Sequence, residues 1–289
     1  MKRIQFTEDD DLIDICYDIV FKAVFARNTP ESQGALSKLV SALIDREVLV
    51  TSISANEPPV DSLRERQIRY DINCKTENGE LINVKMSLNP ERFEPVKLEY
   101  HAAKLFSGQD IRGAEKTFDD LKQAYQIAIL AKEHFFLDES LFHCFEHYDP
   151  VRGVSLNGRS RIITLELAKL GEVVNKPIKG MNSKEHWAYY FKYLTDKEKR
   201  LKINEILEVE EGIAMASEVL INVSKDEIER AYLMSKMKYE LDLQSKLVGA
   251  KREGIAEGRN EGRNEGREEI LDLLSQGLSI EEIKLRLAK

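Results

Sequence analysis

Long apolar runs are missing from this sequence. No stretch approaches the roughly 20 residues that a membrane-spanning helix needs. The opening MKRIQFTEDDD turns acidic at once and lacks the apolar centre of a signal peptide, so no membrane association is expected. Cysteine is scarce. Cys16, Cys74 and Cys144 are scattered and odd in number, which offers neither a disulfide framework nor a zinc spacing and points to a reduced, cytoplasmic compartment. Basic charge is not in excess either. With 43 Lys+Arg against 51 Asp+Glu the chain carries a formal charge of -8, so any nucleic-acid footprint must be local. No glycine-rich phosphate loop is present, because the glycines of the tail lack a following Lys-Ser/Thr and follow no strand. No motif supports a serine nucleophile. His143 and His147 flank Glu146, but the order is not His-Glu-x-x-His and the segment reads as a strand.

What is present centres on Gln67 to Leu88. Ile68, Tyr70, Ile72 and Cys74 alternate with Arg69, Asp71 and Asn73, and Ile82, Val84, Met86 and Leu88 alternate with Asn83, Lys85 and Ser87. Period two over two adjacent stretches predicts a β-hairpin with one buried and one open face. A two-residue Asn78-Gly79 loop would set Cys74 beside polar Asn83. A three-residue Glu77-Asn78-Gly79 loop, with glycine in the left-handed bulge position, pairs Cys74 with Ile82 and Ile72 with Val84. A slip of one residue would turn every side chain to the wrong face, so the second register is expected. It sets Asp71 across from Lys85 and Ser87 across from Arg69. Such a meeting point suits a metal and phosphate site, and equally a solvated sheet face with a cross-strand ion pair.

The rest of the chain supplies helices and further strands. Helical spacing predicts a helix over 12–27, closed by Asn28-Thr29-Pro30, and a second carrying Ala35, Leu36, Leu39, Val40, Leu43 and Ile44. Val48 to Ala55 reads as a strand ending before Pro58-Pro59. Pro95 suits the first turn of a helix that reaches Ser107, on which Lys97, His101 and Lys104 share a face. A short turn at Phe118 to Lys122 leads to Tyr125–Leu130, apolar enough for a central strand. Further strands are expected at Leu141 to Tyr148 and Arg161 to Leu167. From Ser183 the texture becomes helical through Met237, and the stripe of Trp187, Tyr190 and Phe191 reads as core rather than as a platform for bases. In the tail, Gly254, Gly258, Gly262 and Gly266 recur every four residues. That pattern suits either a close helix–helix contact or a charge-rich linker. Two short helices around Gly277, with Ser279 and Glu282 as a capping box, follow it.

The order of these segments is distinctive. YDIVFKAVF precedes a strand and the hairpin RYDINCKTENGELINVKMSLNP, then come AAKLFSGQDIRG and AYQIAIL. Together they resemble the recombination-promoting nuclease and transposase family, a branch of the PD-(D/E)XK nucleases, over about residues 12 to 240. The glycine-repeat tail is also frequent there. The resemblance implies an α/β fold: a nuclease-like mixed sheet flanked by helices over 1–170, a helical region over 171–248 and a glycine-repeat tail over 249–289. It implies Mg2+-dependent hydrolysis of DNA phosphodiesters, with an Asp in the first hairpin arm and Glu-x-Lys or Glu-x-Gln in the second. Asp71 matches the first acid and would be a metal ligand. Lys85 stands where the second acid belongs, and Ser87 stands at the third position.

That departure has a physical consequence. Magnesium takes oxygen ligands, usually one or two carboxylates. An ammonium at Lys85 offers no lone pair, repels a cation and neutralises Asp71, although it can still meet a phosphate as a point charge. Cleavage weakened or lost is therefore the expectation, with DNA as partner and a homo-oligomer through the helical region or tail. The competing class is a non-catalytic DNA-binding or assembly protein on the same fold. Gln109 matches a family glutamine that could orient a water or phosphate, or is simply a helix-end polar residue. Lys97, His101 and Lys104 are candidates for tracking a DNA backbone, or form a solvated helix face. Asp18, Glu77 and Glu99 are candidate replacements for the missing ligand.

Overall fold

The computed structural model describes residues 4–54, 72–111, 115–132 and 134–287. Two compact units are present, Met1–Leu233 and Met234–Lys289.

In the first unit, α1 (Asp18–Phe25) and α2 (Pro30–Ile44) precede the sheet. α1 starts later than the apolar spacing predicts. The Asp14 carboxylate accepts the Cys16 amide at 2.9 Å, an Asx turn that competes with helix. The Ile13 amide is likewise spent on Ser224 Oγ at 3.3 Å. Ile13 and Ile15 are still buried, so their apolar pattern recorded burial rather than helix. α2 begins as Asn28-Thr29-Pro30 suggests, with Pro30 in its first turn and Thr29 Oγ1 accepting the Ser32 amide at 3.3 Å.

Strand β1 (Val50–Ser54) leads into the hairpin arms β2 (Ile72–Thr76) and β3 (Leu81–Ser87). Ile72 pairs with Val84 and Cys74 with Ile82, the register expected from the alternation. The loop is the three-residue one. Gly79 has φ +78°, and its amide donates to Thr76 O at 2.9 Å. Asp71, Arg69, Tyr70 and Ile68 lie outside the described residues.

Next come α3 (Glu94–Ser107) and β4 (Ala124–Leu130), the latter buried at every position as a central strand should be. The predicted strand at 141–148 divides. β5 (Phe142–Phe145) joins the main sheet, whereas β6 (Tyr148–Asp149) and β7 (Val154–Ser155) form their own small hairpin. β8 (Ser160–Glu166) completes a mixed sheet of order β1-β2-β3-β4-β8-β5, parallel across β3, β4 and β8 and antiparallel elsewhere.

Helices α4 (Ser183–Tyr193), α5 (Arg200–Val209) and α6 (Glu211–Lys225) do not form a separate layer. They merge with the N-terminal helices: Phe21 and Phe191 rings lie 6.0 Å apart, and Phe25 and Trp187 rings 5.9 Å apart. The aromatic stripe is core, as its helical spacing suggests. At 2.3 Å from a built Cβ, Lys38 shows why Gly212 must be small where α6 crosses α2. Helix α7 (Glu227–Ser275) is continuous, and all four repeat glycines lie inside it. In the second unit α7 ends before Gly277 at φ +85°, and α8 (Ile280–Leu287) follows. No helix among the described residues is long and apolar enough to cross a membrane.

Candidate active site

β3 decides where the candidate side chains point. Lys85 pairs in register with Ala128 of β4, Ala128 with Thr164 of β8, and Thr164 with His143 of β5. Residues side by side across a sheet share a face. α3 covers this face, with Leu98 packed on Ala128 and Leu130. Lys85 therefore emerges beneath α3, where its ammonium forms an ion pair with Glu94 in the first helical turn.

Glu94 is the residue that sequence reasoning missed. Its side chain is only 2 % exposed, so its charge needs partners to persist there. One carboxylate oxygen meets Lys85 and the other lies 4.0 Å from Lys97 Nζ. The helix N-terminus adds a favourable partial charge. In sequence, Glu94-Pro95 reads as an ordinary acidic helix start. Nothing local says that this acid turns towards the sheet.

The other predicted residues divide into two groups. Lys97 also pairs with Glu91, and Lys104 lies further along α3 with no ion pair among the described residues. His101 sits over the same cluster. Burial, and next the positive charge of Lys85, hold its imidazole pKa below the usual value. Ser87 is buried at the end of β3, paired in register with Leu130. Gln109 is engaged elsewhere: its Nε2 donates to Lys122 O at 2.9 Å and its Oε1 accepts the Lys122 amide at 2.7 Å. This clamp ties the end of α3 to the segment entering β4. Asp71, the proposed metal ligand, lies outside the described residues.

The three replacement acids are dispersed. Asp18 Oδ2 accepts from Lys22 at 2.7 Å on α1. Glu77 Oε2 accepts the Leu49 amide at 2.7 Å in the hairpin loop, away from the Lys85 end of β3. Glu99 lines a cavity on the other flank of α3.

A sequence profile of PD-(D/E)XK nuclease family transposases matches residues 15–250. The chain belongs to that family. No curated protein and no solved structure matches it. The mixed sheet with its antiparallel hairpin, parallel β3–β4–β8 core and covering helices is consistent with the nuclease-like fold of this transposase family.

PD-(D/E)XK nucleases generally use divalent metals. In this transposase-family chain the described residues around Lys85 do not fit such an ion. Among the described residues Glu94 is the one buried carboxylate at the cluster, and its oxygens already face two ammonium groups. A hard cation there would have to displace Lys85 while taking up its position beside a second lysine. Among the described residues no group of three or more His, Cys, Asp or Glu is placed to hold a metal.

Proposed function

We propose that this PD-(D/E)XK transposase-family protein binds DNA and that its phosphodiester cleavage is weakened or lost at Lys85. The observation that carries the reading is the ion pair between Lys85 and buried Glu94. A lysine paired with a carboxylate, at the position where the resemblance expects a metal-ligating glutamate, supports the reading that no magnesium site forms there. Lys97 and Lys104 then act on phosphates as point charges, with His101 adding charge only when protonated. The reading places the protein in the cytoplasm. Its oligomer runs through α7, where Leu241, Val248 and Ile255 are exposed at seven-residue spacing.

The test is plasmid cleavage with magnesium or manganese by the unaltered protein, Lys85→Glu, and Lys85→Glu combined with Asp71→Ala. Cutting by Lys85→Glu alone supports a nuclease silenced at one position. Equal cutting by the unaltered protein refutes the reading, and its loss in Glu94→Gln would then assign the second ligand to Glu94. Filter binding against salt separates a DNA-binding protein, whose affinity falls steeply with ionic strength, from a purely structural one.

A further inference from the structure

α3 has two flanks. Glu94, Lys97 and His101 serve the β3 side, while Pro95, Glu99 and Phe106 overhang β8 and β5 and enclose a cavity of about 610 Å³. That volume lies within the roughly 300–1,000 Å³ of small-molecule sites. Thr164 on its floor belongs to the same sheet row as Lys85 but two strands away, about 10 Å at ordinary strand spacing. The cavity is thus separate from the candidate active site, although one helix roofs both.

We propose that this cavity binds a small aromatic amine. Three features specify that chemistry. The walls carry Phe106 from α3, Phe136 from the loop after β4 and Phe145 from β5, with Ile162 behind them. Aromatic faces from three separate segments suit a flat ring by stacking or edge contact. On the floor, Thr164 is fully buried and its Oγ1 has no hydrogen-bond partner among the described residues. Native proteins rarely leave a buried hydroxyl unpaired, so a ligand donor or acceptor there completes it. At the rim, Glu146 is taken by Arg161 at 2.7 Å, whereas Glu99 has no ion pair among the described residues. An uncompensated carboxylate at the mouth of an apolar chamber repels phosphates and carboxylates and attracts an ammonium. That charge also sets the cavity apart from a nucleotide or DNA subsite.

The test uses the full chain, with tryptamine as the probe and indole-3-acetate as its anionic counterpart, in calorimetric titration and ligand-observed NMR. Tryptamine is expected to bind saturably and the acid to bind at least about tenfold more weakly. Ala103→Trp, at an exposed cavity-lining position of α3, should fill the space and abolish binding while leaving thermal stability unchanged. Thr164→Val should weaken binding about three- to tenfold without lowering the melting temperature, since the hydroxyl it removes has no partner among the described residues. Glu99→Gln should narrow the difference between amine and acid. No saturable tryptamine binding, equal binding of the acid, or binding that survives Ala103→Trp would each overturn the proposal.

Discussion

The Lys85–Glu94 pair is the interaction on which the proposed loss of cleavage depends, and its strength can be measured. Truncating Lys85 to alanine leaves Glu94, 2 % exposed, without its main counter-charge. Removing one member of a buried ion pair costs about 3–5 kcal/mol. Two features reduce that here. The Lys85 side chain is itself 18 % exposed, and Lys97 remains 4.0 Å from the second oxygen. The expected loss is about 2–3 kcal/mol, or a melting point lower by about 5–10 °C for a unit of this size. Lys85→Met with Glu94→Leu removes both charges and should return to within about 1 kcal/mol of the unaltered protein. Trp187, the only tryptophan and fully buried in the first unit, reports urea unfolding of that unit by fluorescence without a contribution from the long helical tail. Single effects that simply add in the double variant, or a Lys85→Ala loss below about 0.5 kcal/mol, would refute the coupling and with it the argument against a cation at this position.

Further outcomes follow from the same geometry. Lys85→Glu sets two carboxylates against each other, so it should melt several degrees lower in chelator and recover with millimolar magnesium or manganese; no recovery means that no cation site has been restored. His101 titrates below the usual imidazole value, so the unfolded chain takes up its proton first. Its contribution to stability is complete above about pH 6.5, falls as pH drops through that value and levels off below the folded pKa. Proton NMR should place the His101 pKa below 6.5 and show it rising in Lys85→Glu, while His101→Gln should flatten that slope. Gln109→Ala loses both bonds to the Lys122 backbone and should cost about 1–2 kcal/mol in urea unfolding with no change in DNA binding. Gly79→Ala forces a side chain into φ +78° and should cost about 1 kcal/mol, read from the same unfolding curves.

The two flanks of α3 connect these predictions. Anything that shifts α3 alters the Lys85–Glu94–Lys97 cluster on one side and the cavity under Phe106 on the other. Leu98, packed on Ala128 and Leu130, is the shared fulcrum. The two sides differ in charge: Lys85, Lys97 and His101 gather around Glu94 on the β3 side, whereas Glu99, Glu146 and His147 border the cavity.

The sequence by itself determined whatever depended on neighbours in the chain. Alternation and one glycine were enough for the hairpin register, because a slip of one residue would set Cys74 beside Asn83 and Ile72 beside Lys85. The open polar face expected of the hairpin is not found: Asn83 and Ser87 are buried, because the sheet is covered on that side too. Pro95 and the Thr29-Pro30 cap marked helix starts, and the apolar run at 124–130 announced a central strand. The order of these segments also carried the family resemblance. Only the tertiary structure decided what meets across the chain. β8 lies beside β4 with β5 outside it, α4–α6 share a core with α1 and α2, and the helix expected from residue 12 waits until Asp18 because Asp14 and Ser224 take up the preceding amides. The same holds for Glu94 and Thr164. Each is unremarkable in its own segment, and each becomes chemically significant because packing takes it out of water and so fixes what it must pair with.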